Sequence, residues 1–237
     1  CNGRQLACNR CGFEGHDMRE IFVLNPNGSA RVTASIDRCV QPLRAAARYK
    51  ITCGYIPTAP EGIESDDHVE EVMPMVLDRA RDCSADAIVV ACFSDPGVEA
   101  ARTLVAVPVI GIAEAAYYAA LQLGRRFGVI SLGPASVSRH ARHIEKLEIA
   151  PRLAGDRPVN MSVSEANSDG GITQAVIEAG MELRDRDGAD VVILGCAGMG
   201  KQRDRLQAVL GLPVVDPVQA AVATAASHLD LGYFGEG

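Results

Sequence analysis

The sequence predicts an α/β fold of two pseudo-symmetric lobes, each a parallel sheet flanked by helices, facing each other across a cleft. Three observations predict it. From Ile21 onward, short apolar runs alternate with longer mixed segments, the pattern of βαβ units on a parallel sheet. An internal repeat lays "SADAIVVACFSDPG" (84–97) over "GADVVILGCAGMG" (188–200), bringing Ala85-Asp86 onto Ala189-Asp190 and Cys92 onto Cys196. After one inserted residue, "VPVIGIAEAA" (107–116) falls on "LPVVDPVQAA" (212–221), and "IFVLNPNGS" corresponds loosely to "FGVISLGPAS". A match of that length is not chance.

The elements follow in order. "IFVL" (21–24) is a strand running into the turn-forming "NPNGS". A helix is expected over 33–48, where Val32, Ile36, Val40 and Leu43 recur at helical spacing. "KITCGYI" (50–56) is the second strand, and "PTAPEGIESDD", with two prolines, is a polar loop before a helix over 68–82. "DAIVVACF" (86–93) is continuous enough to be a strand buried on both faces. A short helix over 97–105 and the buried strand "VPVIGI" (107–112) close the first series. The order then repeats: helix 114–124, strand 126–132 and helix 136–148, then a weaker strand at "NMSVSEA" (160–166) and a long helix 170–188. Strand 189–196, helix 201–211, strand 212–217 and a final helix 218–230 complete it. These series divide the chain into one lobe of 21–111 with 217–237 and a second of 112–216.

Bulk properties narrow the function. The 237 residues suffice for a sizeable core. A net charge of −7 argues against a nucleic-acid partner, and no long uncharged apolar stretch suggests a membrane span. The first 20 residues, "CNGRQLACNRCGFEGHDMRE", have neither an apolar core nor a small-residue cleavage site, so no secretory signal is read there. Cys8 and Cys11 form a C-x-x-C that Cys1 and His16 would complete as a zinc set. The second pair lacks the usual close spacing, and a truncated or over-extended reading frame explains the segment at least as well. Without a secretory signal, the eight cysteines read as reduced thiols in a cytoplasmic protein.

Two lobes of one design, each ending a buried strand in a thiol, place Cys92 and Cys196 on opposite walls of one cleft, because ligands of open α/β sheets sit beyond the strands' carboxyl ends. Paired thiols suit the inversion of a stereocentre bearing an acidic C–H: one removes the proton from one face and the other returns one to the opposite face. A cysteine's ordinary pKa of about 8.5 lets one member be thiolate while the other is thiol. A helix start after the cysteine favours the thiolate. Backbone N–H groups bared by Gly195, Gly198 and Gly200 are suited to an enolate oxygen.

"NPNGS" (25–29), "GIES" (62–65), "ACFSDPG" (91–97), "GIAEAA" (111–116) and "LGCAGM" (194–199) resemble the aspartate/glutamate/hydantoin racemase superfamily, most closely its hydantoin and allantoin racemase branch. The resemblance spans Ile21 to about Leu229. It implies cofactor-independent racemisation of a small cyclic imide by Cys92 and Cys196 in a homo-oligomer. Carried across by position, Asn25, Asn27, Phe93, Ser94, Ala197 and Gly198 line the cleft, and Glu114 occupies the matching acidic position. Amino-acid racemases of the superfamily follow their cysteines with Asn-Thr or a similar pair that binds carboxylate and ammonium. Here Phe-Ser and Ala-Gly follow, which suits a neutral 5-substituted hydantoin, with allantoin among the candidates, better than a free amino acid. The alternatives are an aspartate/glutamate-type racemase and a related decarboxylase or isomerase; the latter lacks need of both cysteines. Ser94 departs from an aspartate common in the branch, and His68 falls where tyrosine is frequent.

Plainer readings accompany these. Asn25 and Asn27 are ordinary turn formers, and Glu114 is well placed to open a helix. Cys39, Cys53 and Cys83 lack a motif and read as packing residues, while His140 and His143 read as a solvated helix surface rather than metal ligands.

Overall fold

The computed structural model describes residues 18–46, 48–167 and 173–234. The possible zinc set of Cys1, Cys8, Cys11 and His16 lies outside them. Two parallel four-stranded sheets form the frame. The first runs β2 (Lys50–Tyr55), β1 (Glu20–Asn25), β3 (Ala87–Val90), β4 (Val109–Gly111). The second runs β6 (Leu153–Pro158), β5 (Phe127–Ser131), β7 (Val191–Leu194), β8 (Val214–Val215). Strand order is the same in both, as the repeat predicts.

The inner strands explain themselves. β3 (AIVV) and β7 (VVIL) are buried at every residue because helices cover both faces of each sheet. The helices are α1 (Ala30–Cys39), α2 (Gln41–Ala46), α3 (Asp66–Arg81), α4 (Val98–Leu104), α5 (Ile112–Leu123), α6 (Pro134–Lys146), α7 (Val163–Ala166), α8 (Gln174–Asp185), α9 (Arg203–Leu210) and α10 (Pro217–Leu231). The expected helix over 33–48 is two: it starts earlier, capped by Ser29, and breaks at Val40 just before Pro42.

The weak strand expected at 160–166 is not there. The fourth strand of the second sheet is β6, "LAGDRP", and residues 163–166 form α7 behind a capping box in which Ser162 and Glu165 bond reciprocally. β6 pairs only with β5 and has no fully buried residue, so it carries none of the branched apolar signal of an inner strand.

The helices that follow the last strand of each sheet are exchanged. α5 follows β4 but packs on β5, β7 and β8, whereas α10 follows β8 and packs on β1, β3 and β4. α5 and α10 also pack on each other, so one continuous core runs through both sheets, with fully buried Tyr117 on α5 and Val218 on α10. A second core under α3 and α4 holds Leu24, Val72, Val76 and Val90 on the outer face of the first sheet. No helix among the described residues is long and apolar enough to cross a membrane.

Candidate active site

Each inner strand leads into its cysteine loop by the same hydrogen bonds. The Ala91 N–H donates to the Leu24 carbonyl of β1 at 2.8 Å, and the Gly195 N–H donates to the Ile130 carbonyl of β5 at 2.8 Å. One turn later, Asp95 N–H donates to the Cys92 carbonyl at 2.9 Å and Met199 N–H to the Cys196 carbonyl at 3.1 Å. In both loops the backbone N–H two residues on, from Ser94 or Gly198, bears on the cysteine sulfur in the sense that favours thiolate. The two thiols are built alike and sense each other: charge on Cys92 disfavours charge on Cys196. Burial dominates nonetheless, pushing Cys92 up to about 11 and Cys196 up to about 12.

Asn25 is almost fully buried, and its side chain is occupied within the turn. Its Nδ2 donates to Asn27 Oδ1 at 2.7 Å and to Thr33 Oγ1 at 3.0 Å, while Asn27 Oδ1 accepts from the Ser29 N–H at 2.9 Å. Phe93 is also buried, its ring edge-on to Tyr117 at 5.5 Å and to His140 at 4.9 Å. Ala197 and Gly198 are buried in a 3₁₀ turn over Ala197–Gln202, for which Cys196 is the N-cap. Glu114 opens α5 and pairs with Arg102 at 3.0 Å. Together with Phe93, Ser94, Arg102 and Arg139 it lines a cavity of about 670 Å³ that neither cysteine lines. Of the predicted cleft residues, Phe93, Ser94 and Glu114 thus share one cavity.

Several site residues escape a reading of motifs. Gly111 and Asp216 fall on each other in the repeat, which looks like a lost helix cap in the first lobe. In the structure Asp95 supplies it: its Oδ1 accepts from Ala113 N–H at 3.0 Å and its Oδ2 from Glu114 N–H at 2.9 Å. Asp216 caps α10 by accepting from Val218 N–H at 2.8 Å. A Cβ on Gly111 would collide with the Asp95 carboxylate, and one on Gly200 with that of Asp216. One carboxylate therefore fills one space in each lobe, supplied by the cysteine loop in one and by the helix cap in the other. Burial pushes Asp95 up to about 7 against its two N–H bonds. Removing the cap with Asp95→Ala is expected to cost about 0.5–2 kcal/mol of stability in urea denaturation, the usual range for a lost N-cap.

The expectation that His140 sits on a solvated helix surface is wrong. It is buried, with Nδ1 2.8 Å from Asp156 Oδ2 and 3.1 Å from Ser131 Oγ. It packs against Phe93 beside Cys92, and a Cβ on Gly195 would lie 3.3 Å from its ring, so it fills the space between the two cysteine loops. Its neighbour Arg139 is buried as well and bonds to Ser94. α6 is amphipathic, but its buried stripe of Arg139, His140 and Ile144 is mostly polar, which hides it from a hydrophobicity pattern. Among the described residues no cluster of His, Cys, Asp and Glu is arranged to hold a metal ion.

Comparison with known proteins extends this. The family model for Asp/Glu/hydantoin racemases matches residues 21–225. The hydantoin racemase of Rhizobium meliloti is 35% identical over 222 residues, which is 90% of this chain and 90% of that protein. That of Paenarthrobacter aurescens is 34% identical over 220 residues, covering 90% and 92%. The structure of an allantoin racemase from Klebsiella pneumoniae matches with a TM-score of 0.83 at 31% identity, covering 90% of this chain and 89% of that one.

Proposed function

Since this chain belongs to the Asp/Glu/hydantoin racemase family, we propose that it is a racemase of 5-substituted hydantoins, allantoin included, working through Cys92 and Cys196. The observation that carries the reading is the matched construction of the two loops: equivalent strand anchors, equivalent turns, and an N–H donor to each sulfur. One cysteine, as thiolate, takes the C5 proton. The C–H electron pair passes into the adjacent carbonyl as an enolate, which nearby backbone N–H groups stabilise. The other cysteine, as thiol, gives its proton to the opposite face of C5, and the pair is left with its roles exchanged. Nothing is oxidised or reduced.

The side chains of Asn25 and Asn27 shape the turn at the edge of this space, and Ala197 with Gly198 provides a wall of backbone. Such a surface fits a neutral ring better than a zwitterion. We assign the lobes as 21–111 with 217–237 and 112–216, a division supported by the exchange of α5 and α10. The reading also carries a homo-oligomer, as the family resemblance implies, and a cytoplasmic setting for the five free cysteines among the described residues.

Polarimetry of enantiopure allantoin and 5-benzylhydantoin, corrected for the enzyme-free rate, tests the proposal. Loss of rotation with either substrate is expected; inactivity on both with turnover of free aspartate or glutamate would assign the chain to the amino-acid branch. The pH dependence follows from the raised thiols. Because a raised pKa makes thiolate scarce below it, kcat/KM is expected to climb about tenfold per pH unit between about pH 6 and 8, with no levelling in that range. A profile flat over this range would contradict the raised thiols, because kcat/KM follows the ionisation of the free protein.

A further inference from the structure

The cysteine loops share their backbone hydrogen bonds but not their side chains, and two residues after the cysteine Ser94 in one stands opposite Gly198 in the other. The Ser94 hydroxyl, in addition to its N–H, bears on the Cys92 sulfur, and Cys196 has no counterpart. Ser94 is itself held. Arg139 Nε donates to Ser94 Oγ at 3.2 Å. A hydroxyl that accepts from a guanidinium keeps its single hydrogen for another partner, and the partner in reach is the sulfur.

Arg139 is fixed from three sides. Nη1 donates to the Glu64 carbonyl at 3.3 Å, Nη2 donates to Ser136 Oγ at 3.2 Å, and Asp66 lies 3.5 Å from Nη1. It is only 8% exposed, on α6 of the second lobe, yet its bonds reach the Cys92 loop and the Glu64 loop of the first. A buried, permanently charged guanidinium is costly unless each donor has a set task. The other charged group on the Cys92 side is Asp95, which opposes ionisation of the thiol; Arg139 favours it. Across the gap, Cys196 is subject to Glu64 and to Cys92 itself, both opposing its ionisation.

We propose that Arg139 is a positioning residue that, through the Ser94 hydroxyl, makes Cys92 the thiol that ionises first, so that in the singly ionised protein Cys92 is the base and Cys196 the acid. The relay deepens the two-thiol reading and rests on it for what the ionised Cys92 then does. In the cycle, Cys92 gives its own proton to solvent, accepts the C5 proton of one enantiomer, and is left as thiol when Cys196 has delivered its proton to the other face. Steady-state kcat/KM cannot reveal this bias, because the equilibrium constant of a racemisation fixes the same value for both enantiomers. The bias has to be read from the sulfurs.

The test is alkylation of the intact protein by iodoacetamide, since the thiolate is the reactive form. Cys92 and Cys196 are quantified in the same digest by mass spectrometry, at several pH values. In Ser94→Ala and Arg139→Gln the alkylation of Cys92 at about pH 8 is expected to slow about tenfold, equivalent to about one pH unit, while Cys196 is unmoved. Arg139→Lys, which keeps the charge but not the fork, should recover part of the rate. Ser94→Ala removes one atom and keeps the test sound if Arg139→Gln does not fold. Equal rates for Cys92 in wild type and Ser94→Ala, or parallel changes at both cysteines, would overturn the relay. A wild type that shows the selective slowing in its variants yet racemises no hydantoin would overturn the proposed function and leave the relay standing.

Discussion

Serine in place of either Cys92 or Cys196 is expected to lower kcat/KM for racemisation about 10³-fold, within the range for loss of a positioned acid or base. A serine hydroxyl fits the same space and keeps the loop's backbone bonds, so stability should change little. What it lacks is acidity, and a hydroxyl cannot ionise at the cost a thiol can. The two single variants should resemble each other and the double variant, because neither half of a proton relay works alone. Exchange at C5 without inversion should survive in each single variant for one enantiomer only, the one facing the remaining thiol, and the two variants should retain opposite enantiomers. Proton NMR in deuterated buffer follows both processes at once. Retention of full racemisation by either variant would remove that cysteine from the chemistry.

Gly198→Ala is the second large effect. A Cβ at Gly198 would overlap the Asn167 carboxamide, which is buried and held by donation from Nδ2 to the Val163 carbonyl at 2.8 Å. That bond fixes the amide's orientation, so the carboxamide cannot swing aside without losing it. Gly198 must give instead, and its N–H is the one that bears on the Cys196 sulfur. A loss of about 10²-fold in kcat/KM is expected, the scale of an ångström-sized misplacement at the reacting groups. Adding Asn167→Gly opens the space, and the double variant should recover activity that Gly198→Ala lost. A double variant no better than the single one would show that the methyl acts in some other way.

Much of this was legible in the sequence, for a physical reason. A duplicated strand and loop must satisfy the same backbone bonds twice, so Cys92 and Cys196 emerge in register even though Phe-Ser follows one and Ala-Gly the other. The apolar inner strands announce themselves because both their faces are covered. β6 does not, since an edge strand of Leu, Ala, Gly, Asp, Arg and Pro needs no apolar alternation to pair on one side. His140 reads as solvent-facing and Arg139 draws no notice, because polar side chains buried by specific partners look like solvent-facing ones in a pattern. Their partners Ser94, Glu64, Ser131 and Asp156 lie 9 to 75 residues away in the chain. The Asp95 cap left one clue, the mismatch of Gly111 with Asp216 in the repeat, which makes sense only when the two loops are built in space.

The central claim is that two thiols act on opposite faces of one carbon. The most direct measurement is the isotopic content at C5 of both enantiomers during early turnover of one enantiopure hydantoin in deuterated water. Two opposed thiols predict product that carries deuterium while the remaining substrate keeps its protium, since the proton added comes from the second, solvent-exchanged sulfur. Product that retains the substrate's own proton, or deuterium entering substrate and product alike from the first turnovers, would contradict the account and point to a single base.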